Sequence, residues 1–143
     1  MRNVLEVGII REAAEQGLPA SALREAERAI AEQREAGDDP NIFTDADDRF
    51  HRTFANAIGY GEIWSIVESQ KAQFDRIRFL SLPEVTPVDL LIRQHRAILK
   101  AVAARDAATA EKVLRAHLSI VVETTQALMR TNPDLINDDV GEN

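Results

Sequence analysis

The chain has 143 residues, 45% of them hydrophobic and 29% charged, which is the balance of one globular domain with a hydrophobic core of its own. It contains no cysteine, which excludes disulfides, cysteine-ligated zinc sites and thiol nucleophiles. Its 24 acidic residues outnumber its 17 lysines and arginines, so a formal charge of −7 repels a phosphate backbone and argues against nucleic-acid binding by this chain alone.

The N-terminal residues show a helical pattern almost from Met1, without a preceding cap or turn. They lack the apolar core and the small-residue cleavage site of a signal peptide. No apolar run in the chain approaches the roughly 20 residues that a membrane span needs. We therefore expect a cytoplasmic protein with no membrane contact. The abrupt start also leads us to expect a fragment, or a natural truncation, of a longer protein.

The first half of the chain predicts three helices and no strand, because apolar residues recur at helical rather than alternating spacing. The first helix is predicted over residues 4–16. The second follows an N-cap at Ser21 and ends before Gly37. The third begins near Thr44, where the sequence TDAD resembles a capping box, and it ends at Gly59.

The second half of the chain predicts three more helices. The fourth covers residues 62–82 and is stopped by a proline. Thr86 caps the fifth, which continues to residue 104. Asp106 begins the sixth, which extends to about Arg130. The Asn- and Asp-rich residues that follow are expected to be disordered.

All three histidines of the chain lie on apolar stripes, each on a different predicted helix. Asp47 joins them one helical turn before His51, on the same face. Burying four such groups in a small core costs several kcal/mol unless they satisfy one another or bind something. The apolar residues that define the three stripes are Phe43, Phe50 and Phe54, then Leu91, Ile98 and Leu99, and finally Val113, Leu114 and Val121.

The spacing of the last two histidines indicates that the four groups meet. His95 and His117 are both 11 residues from Asp106, at the turn between two predicted helices. At 1.5 Å per residue both imidazoles lie about 16 Å from that turn, and so at one height. Alone, each group is more often an ordinary core residue or ion pair. Together with Asp47 and His51 they form a shell of three nitrogens and one oxygen, which suits Zn, Ni, Mn or Fe(II).

Three motifs carry a resemblance to a known family. They are DDRFHR at residues 47–52, QHRAILKAVAARD at residues 94–106 and AEKVLRAHL at residues 110–118. They are similar to the D-x-x-F-H, E-H-x-x-I-x-x-A-I-x-x-x-D and A-x-x-x-x-x-x-H-L patterns of the FCD domain, the effector-binding domain of FadR-subfamily GntR-type bacterial transcription regulators. The similarity extends over residues 5–129. Gln94 stands where the family usually has Glu.

The resemblance implies an all-α fold: an antiparallel bundle of six to seven helices around a central cavity that holds a metal and a small effector, typically a carboxylate metabolite. We expect this bundle over residues 1–134 and a disordered tail over residues 135–143. A homodimer is expected on the same ground. Zinc is the first expectation for the metal, with Ni, Mn or Fe as alternatives.

The resemblance also assigns roles to individual residues. Its metal ligands correspond to Asp47, His51, His95 and His117. Arg76 and Arg78 resemble family arginines on the fourth helix, one of which could hold an effector carboxylate with its planar guanidinium. The alternative for both arginines is an ordinary solvated charge on a helix surface.

The family's N-terminal winged helix-turn-helix has no counterpart in this sequence, so we expect either the effector half of a longer regulator or a chain that has lost DNA binding. The predicted function is metal-dependent sensing of a small organic acid, reported to DNA through a domain outside this chain. One alternative is a small metalloenzyme that activates water, although the ligand-bearing faces show no obvious general base. A metal-stapled dimerisation module without an effector is a third.

Overall fold

The computed structural model describes residues 2–37, 39–70, 72 and 88–131. Every regular element in these ranges is an α-helix, which confirms the predicted all-α class. The helices are α1 (Arg2–Gln16), α2 (Ala20–Ala36), α3 (Pro40–Ala57), α4 (residues 61–70), α5 (Val88–Ala103) and α6 (Ala107–Thr131). No helix in the described part of the chain is long and apolar enough to cross a membrane.

Short connections make the bundle antiparallel. α2 packs against α3, and α5 packs against α6, each pair being joined by only a few residues. α1 packs against α6 and also contacts α3 and α5, while α2 contacts α5. The centre of the bundle therefore lies between α1, α3, α5 and α6. Its largest fully buried apolar side chains are Phe43, Phe50, Phe54, Leu91, Ile98, Leu114 and Leu118.

The start of α3 differs from the prediction. The helix begins at Pro40, four residues before the predicted start at Thr44. The Asp39 carboxylate accepts hydrogen bonds from the backbone N–H groups of Asn41 at 2.9 Å and Ile42 at 3.4 Å. Asp is a strong N-cap, and Pro at the first helical position has its φ already near the helical value, so this cap lies ahead of the TDAD capping box.

The start of α2 also differs from the prediction. The helix begins at Ala20, directly after Pro19, and no side chain caps it. Ser21, the predicted N-cap, lies inside the first turn. Pro19 holds the extended backbone conformation that an N-cap position requires, so the helix begins without a hydroxyl cap.

The turn between α5 and α6 agrees with the prediction that Asp106 begins the last helix. Its carboxylate accepts hydrogen bonds from the Thr109 hydroxyl at 2.7 Å and the Thr109 backbone N–H at 3.1 Å. These bonds, the hydroxyl first, hold the pKa of Asp106 below its ordinary value. Arg105, with φ of 58°, donates a hydrogen bond to the Glu15 carbonyl and lies over Gly17, which ties this turn to the end of α1.

An ion-pair network joins α1 to α6 at the surface. The Glu111 carboxylate contacts the Arg115 guanidinium at 3.0 Å and the Arg11 guanidinium at 2.8 Å. Hydrogen bonds from these arginines, that of Arg115 first, lower the pKa of the Glu111 carboxyl. The contact supports the packing of the first and last helices around the core.

Several sequence predictions lie outside the described residues. Of the predicted fourth helix, residues 62–82, the described residues are 62–70 and 72, and all of them are helical. Arg76, Arg78, the predicted cap at Thr86 and the predicted disordered tail at residues 135–143 all fall beyond the described ranges.

Candidate metal centre

Three helices bring the four predicted ligands to one point in the core. Asp47 and His51 lie one turn apart on α3, His95 lies on α5 and His117 lies on α6. One donor atom from each residue lies within 4.8 Å of all the others. The exposed fractions of the residues are 3, 7, 0 and 2%, so all four groups have left bulk water. The ring centroids of His95 and His117 are 4.7 Å apart, as expected for two imidazoles at one height.

The Asp47 carboxylate faces two of the imidazoles. Its Oδ1 atom lies 3.1 Å from Nε2 of His95 and 3.5 Å from Nε2 of His51. Donors around one tetrahedral ion, each about 2 Å from it, are roughly 3.3 Å apart. These two separations are close to that value, and every other pair of donor atoms lies within 4.8 Å. Three imidazoles and one carboxylate in a buried cluster could therefore hold a divalent metal ion, and the donor set matches Zn, Ni, Mn or Fe(II).

Two glutamines contact the far side of the imidazole rings. Oε1 of Gln33, on α2, lies 2.7 Å from Nδ1 of His95. Oε1 of Gln94, on α5, lies 2.8 Å from Nδ1 of His117. An amide oxygen only accepts hydrogen bonds, so each Nδ1 carries the proton that it donates. A neutral ring with its proton on Nδ1 would offer the lone pair of Nε2 to a metal, and for His95 this nitrogen lies 3.1 Å from Asp47 Oδ1.

Aromatic side chains surround the cluster. The Phe50 ring lies 4.6 Å from the His95 ring, measured between centroids. Trp64, the single tryptophan of the chain, stacks on His51 with ring planes 4° apart and centroids 6.2 Å apart. Trp64 is itself buried, with 2% of its surface exposed. These rings separate the cluster from bulk water, which strengthens electrostatic interactions within it.

A small cavity lies beside His51. Its volume is about 10 Å³, roughly the room that one water molecule needs. Glu6 of α1, which is 3% exposed, is one of the residues that line it. The other lining residues are Ile9, Ile10, His51, Phe54, Trp64 and Leu114.

Glu6, Gln33 and Trp64 are neighbours of the site that were not predicted from the sequence, and Gln94 was distinguished only as a departure from the family pattern. A signal for Gln33 was present, because it follows Ala26 and Ile30 at helical spacing and so shares their buried face. The partner of that face on another helix is a tertiary contact that periodicity cannot predict. Arg76 and Arg78 lie outside the described residues.

Comparison with known proteins agrees with the motifs. The chain is 28% identical over 141 residues to the HTH-type transcriptional repressor RspR of Escherichia coli K12, and 29% identical over 145 residues to an HTH-type transcriptional regulator in an unstable DNA locus of Streptomyces ambofaciens. These alignments cover 97% and 96% of the chain but 61% of each relative. The family model of the FCD domain matches residues 1–119, so the chain belongs to the FCD domain family.

Proposed function

We propose that this chain is the effector-binding domain of a bacterial HTH-type transcription regulator, and that a divalent metal held by Asp47, His51, His95 and His117 forms its effector site. The observation that carries the proposal is the convergence of four buried donor atoms within 4.8 Å in a chain of the FCD family. The relatives named above are described as a repressor and a regulator of the HTH type, which supports a regulatory role.

The chemistry of the donor set favours an anionic effector. Asp47 contributes one negative charge and the neutral imidazoles contribute none, so a divalent ion and its four ligands together carry one net positive charge. The metal, zinc first among the candidates, would supply a Lewis-acidic position for one oxygen of a small organic acid. Arg76 or Arg78 is proposed to hold a second carboxylate oxygen through a charge-assisted hydrogen bond.

Regulation would follow from the position of the ligands on different helices. A metal and effector that draw α3, α5 and α6 together favour one arrangement of the bundle over another, and the difference in affinity sets the size of the response. We propose that the chain acts in the cytoplasm as a homodimer and reaches DNA through a winged helix-turn-helix of a longer protein. The FCD-type bundle is proposed to cover residues 1–134, followed by a disordered tail.

A thermal melting screen of the zinc-loaded chain against small mono- and dicarboxylic acids tests this function. We expect at least one acid to raise the melting temperature, and Arg76→Ala or Arg78→Ala to weaken its binding by about 1.5–3 kcal/mol. The same acid should bind hardly at all to the metal-free chain. A screen in which every acid binds equally with and without metal would refute the metal-dependent site. Sedimentation showing only monomers at high micromolar concentration would refute the dimer.

One observation favours the metalloenzyme alternative. Glu6 lines the water-sized cavity beside His51, and a buried carboxylate beside a metal-bound water is the arrangement that a general base needs. The two functions differ in what happens to the ligand. As a sensor, the chain returns a bound acid, ester or lactone unchanged after prolonged incubation. Turnover that is lost in both His51→Ala and Glu6→Gln would favour the enzyme instead.

A further inference from the structure

Gln33 connects two of the candidate ligands although its helix, α2, contributes none of the four. Its side chain is fully buried. Its amide nitrogen donates a hydrogen bond to the Ala46 carbonyl at 3.4 Å, and its Oε1 lies 2.7 Å from Nδ1 of His95. Ala46 directly precedes Asp47. One amide therefore holds the imidazole of one ligand and the backbone beside another.

The contact with Ala46 determines which way the amide faces. A backbone carbonyl only accepts hydrogen bonds, so the NH₂ group of Gln33 must face it and Oε1 must face His95. His95 then donates from Nδ1, which leaves Nε2, 3.1 Å from Asp47 Oδ1, as the nitrogen that would bind a metal. The other tautomer would direct an N–H group at the metal position and lose the bond to Gln33.

Gln94 has the same relation to His117. Its Oε1 lies 2.8 Å from Nδ1 of that imidazole, and it directly precedes His95 on α5. Two of the three imidazoles are thus supported by primary amides. Metal-bound histidines commonly donate to a carboxylate, a backbone carbonyl or a water, and a carboxylate in that role adds a negative charge to the centre. An amide accepts the same hydrogen bond without that charge.

We propose that Gln33 and Gln94 are positioning residues that hold His95 and His117 in the metal-binding tautomer, and that their neutrality makes the centre more positive than a glutamate at position 94 would, so that it binds an anion at the metal more tightly. This inference rests on the proposed metal site. The inference distinguishes a positioning effect on metal binding from a charge effect on anion binding. Removal of either amide weakens metal binding, whereas replacement of the Gln94 amide by a carboxylate preserves metal binding and weakens anion binding.

The positioning effect is tested with Gln33→Leu, Gln94→Glu and the surface control Gln16→Leu. Zinc affinity is measured by competition with a chelator, after circular dichroism of the metal-free proteins. We expect Gln33→Leu to weaken the zinc Kd by about 10–100-fold, and Gln94→Glu and Gln16→Leu to remain within about threefold of the wild type. If Gln33→Leu does not fold, Gln94→Leu at its partly buried position provides the same test on His117. A leucine variant that folds and keeps the wild-type Kd overturns the positioning role.

The charge effect is tested with Gln94→Glu, using azide as the anion and Co²⁺ as the metal. Visible absorption of the cobalt-loaded protein reports azide binding. We expect cobalt to bind the variant about as tightly as the wild type, and the azide Kd to weaken by about tenfold, since a like charge is added within several ångströms of the anion. Unchanged azide affinity overturns the charge effect. A wild type that binds neither zinc nor cobalt would instead refute the proposed function on which the inference rests.

Discussion

Whether Asp47 is a metal ligand can be tested by comparing Asp47→Asn with Asp48→Asn. The quantity compared is the gain in thermal stability that each variant shows when zinc is added. Asp47 places Oδ1 between two imidazoles, whereas Asp48 is the next residue along α3 and is not one of the four clustered donors. Both substitutions replace a carboxylate by an amide of the same size. Only Asp47→Asn should therefore alter metal binding.

The expected size follows from binding to the native state alone. With free zinc at 100 times the Kd, the wild type gains about 2.7 kcal/mol in unfolding free energy. For a chain of this length that gain corresponds to a rise of roughly 9 °C in the melting temperature. A hundredfold weaker Kd leaves about 0.4 kcal/mol and a rise of about 1 °C.

The assay is differential scanning calorimetry of each protein with and without zinc, at one free-zinc concentration. Comparing the rise for each variant with its own metal-free form removes any effect of the substitution on the metal-free fold. We predict a nearly full rise for Asp48→Asn and a rise of about 1 °C or less for Asp47→Asn. Equal rises in the two variants would show that Asp47 is not a ligand.

Three further predictions concern the fold. Gly17→Ala should lower the unfolding free energy, measured by urea denaturation, by about 1–2 kcal/mol. Gly17 has a φ of 79°, and a Cβ there would lie 3.3 Å from the Arg105 guanidinium. The control Gly8→Ala, within α1, should instead raise the unfolding free energy by up to about 1 kcal/mol. Asp39→Ala should lower the unfolding free energy by about 1 kcal/mol, because Asp39 caps α3. Ser21→Ala should lower it much less, because Ser21 does not cap α2. The pKa of Glu111 is lower in the folded chain than the ordinary glutamate pKa of about 4.3, so its ionised carboxylate stabilises the fold above that pH. This stabilisation is lost as pH falls through the pKa of the folded state. The melting temperature of Glu111→Gln should therefore fall less in acid than that of the wild type.

The helical class and the meeting of the four candidate ligands were predictable because both depend on spacing within helices. The equal distances of His95 and His117 from Asp106 bring the two imidazoles to one height in any antiparallel hairpin closed at that turn. The position of the α5–α6 turn was therefore enough to predict this pair. Asp47 and His51 follow from a single turn of α3.

The helix starts and the environment of the ligands were less predictable for physical reasons. Thr44 and Ser21 are reasonable caps in isolation, but the prolines at positions 40 and 19 determine where α3 and α2 begin. Gln33 is adjacent to His95 only because α2 packs against α5, and no pattern within α2 specifies that neighbour.

Elemental analysis of the purified chain, dialysed after equilibration with zinc, tests the proposed metal centre most directly. The wild type is compared with the double variant His95→Ala, His117→Ala, with circular dichroism to show that both are helical. We predict one divalent metal per wild-type chain and none in the double variant. A wild type without bound metal, or a double variant that retains one metal per chain, would contradict the assignment of Asp47, His51, His95 and His117 as its ligands.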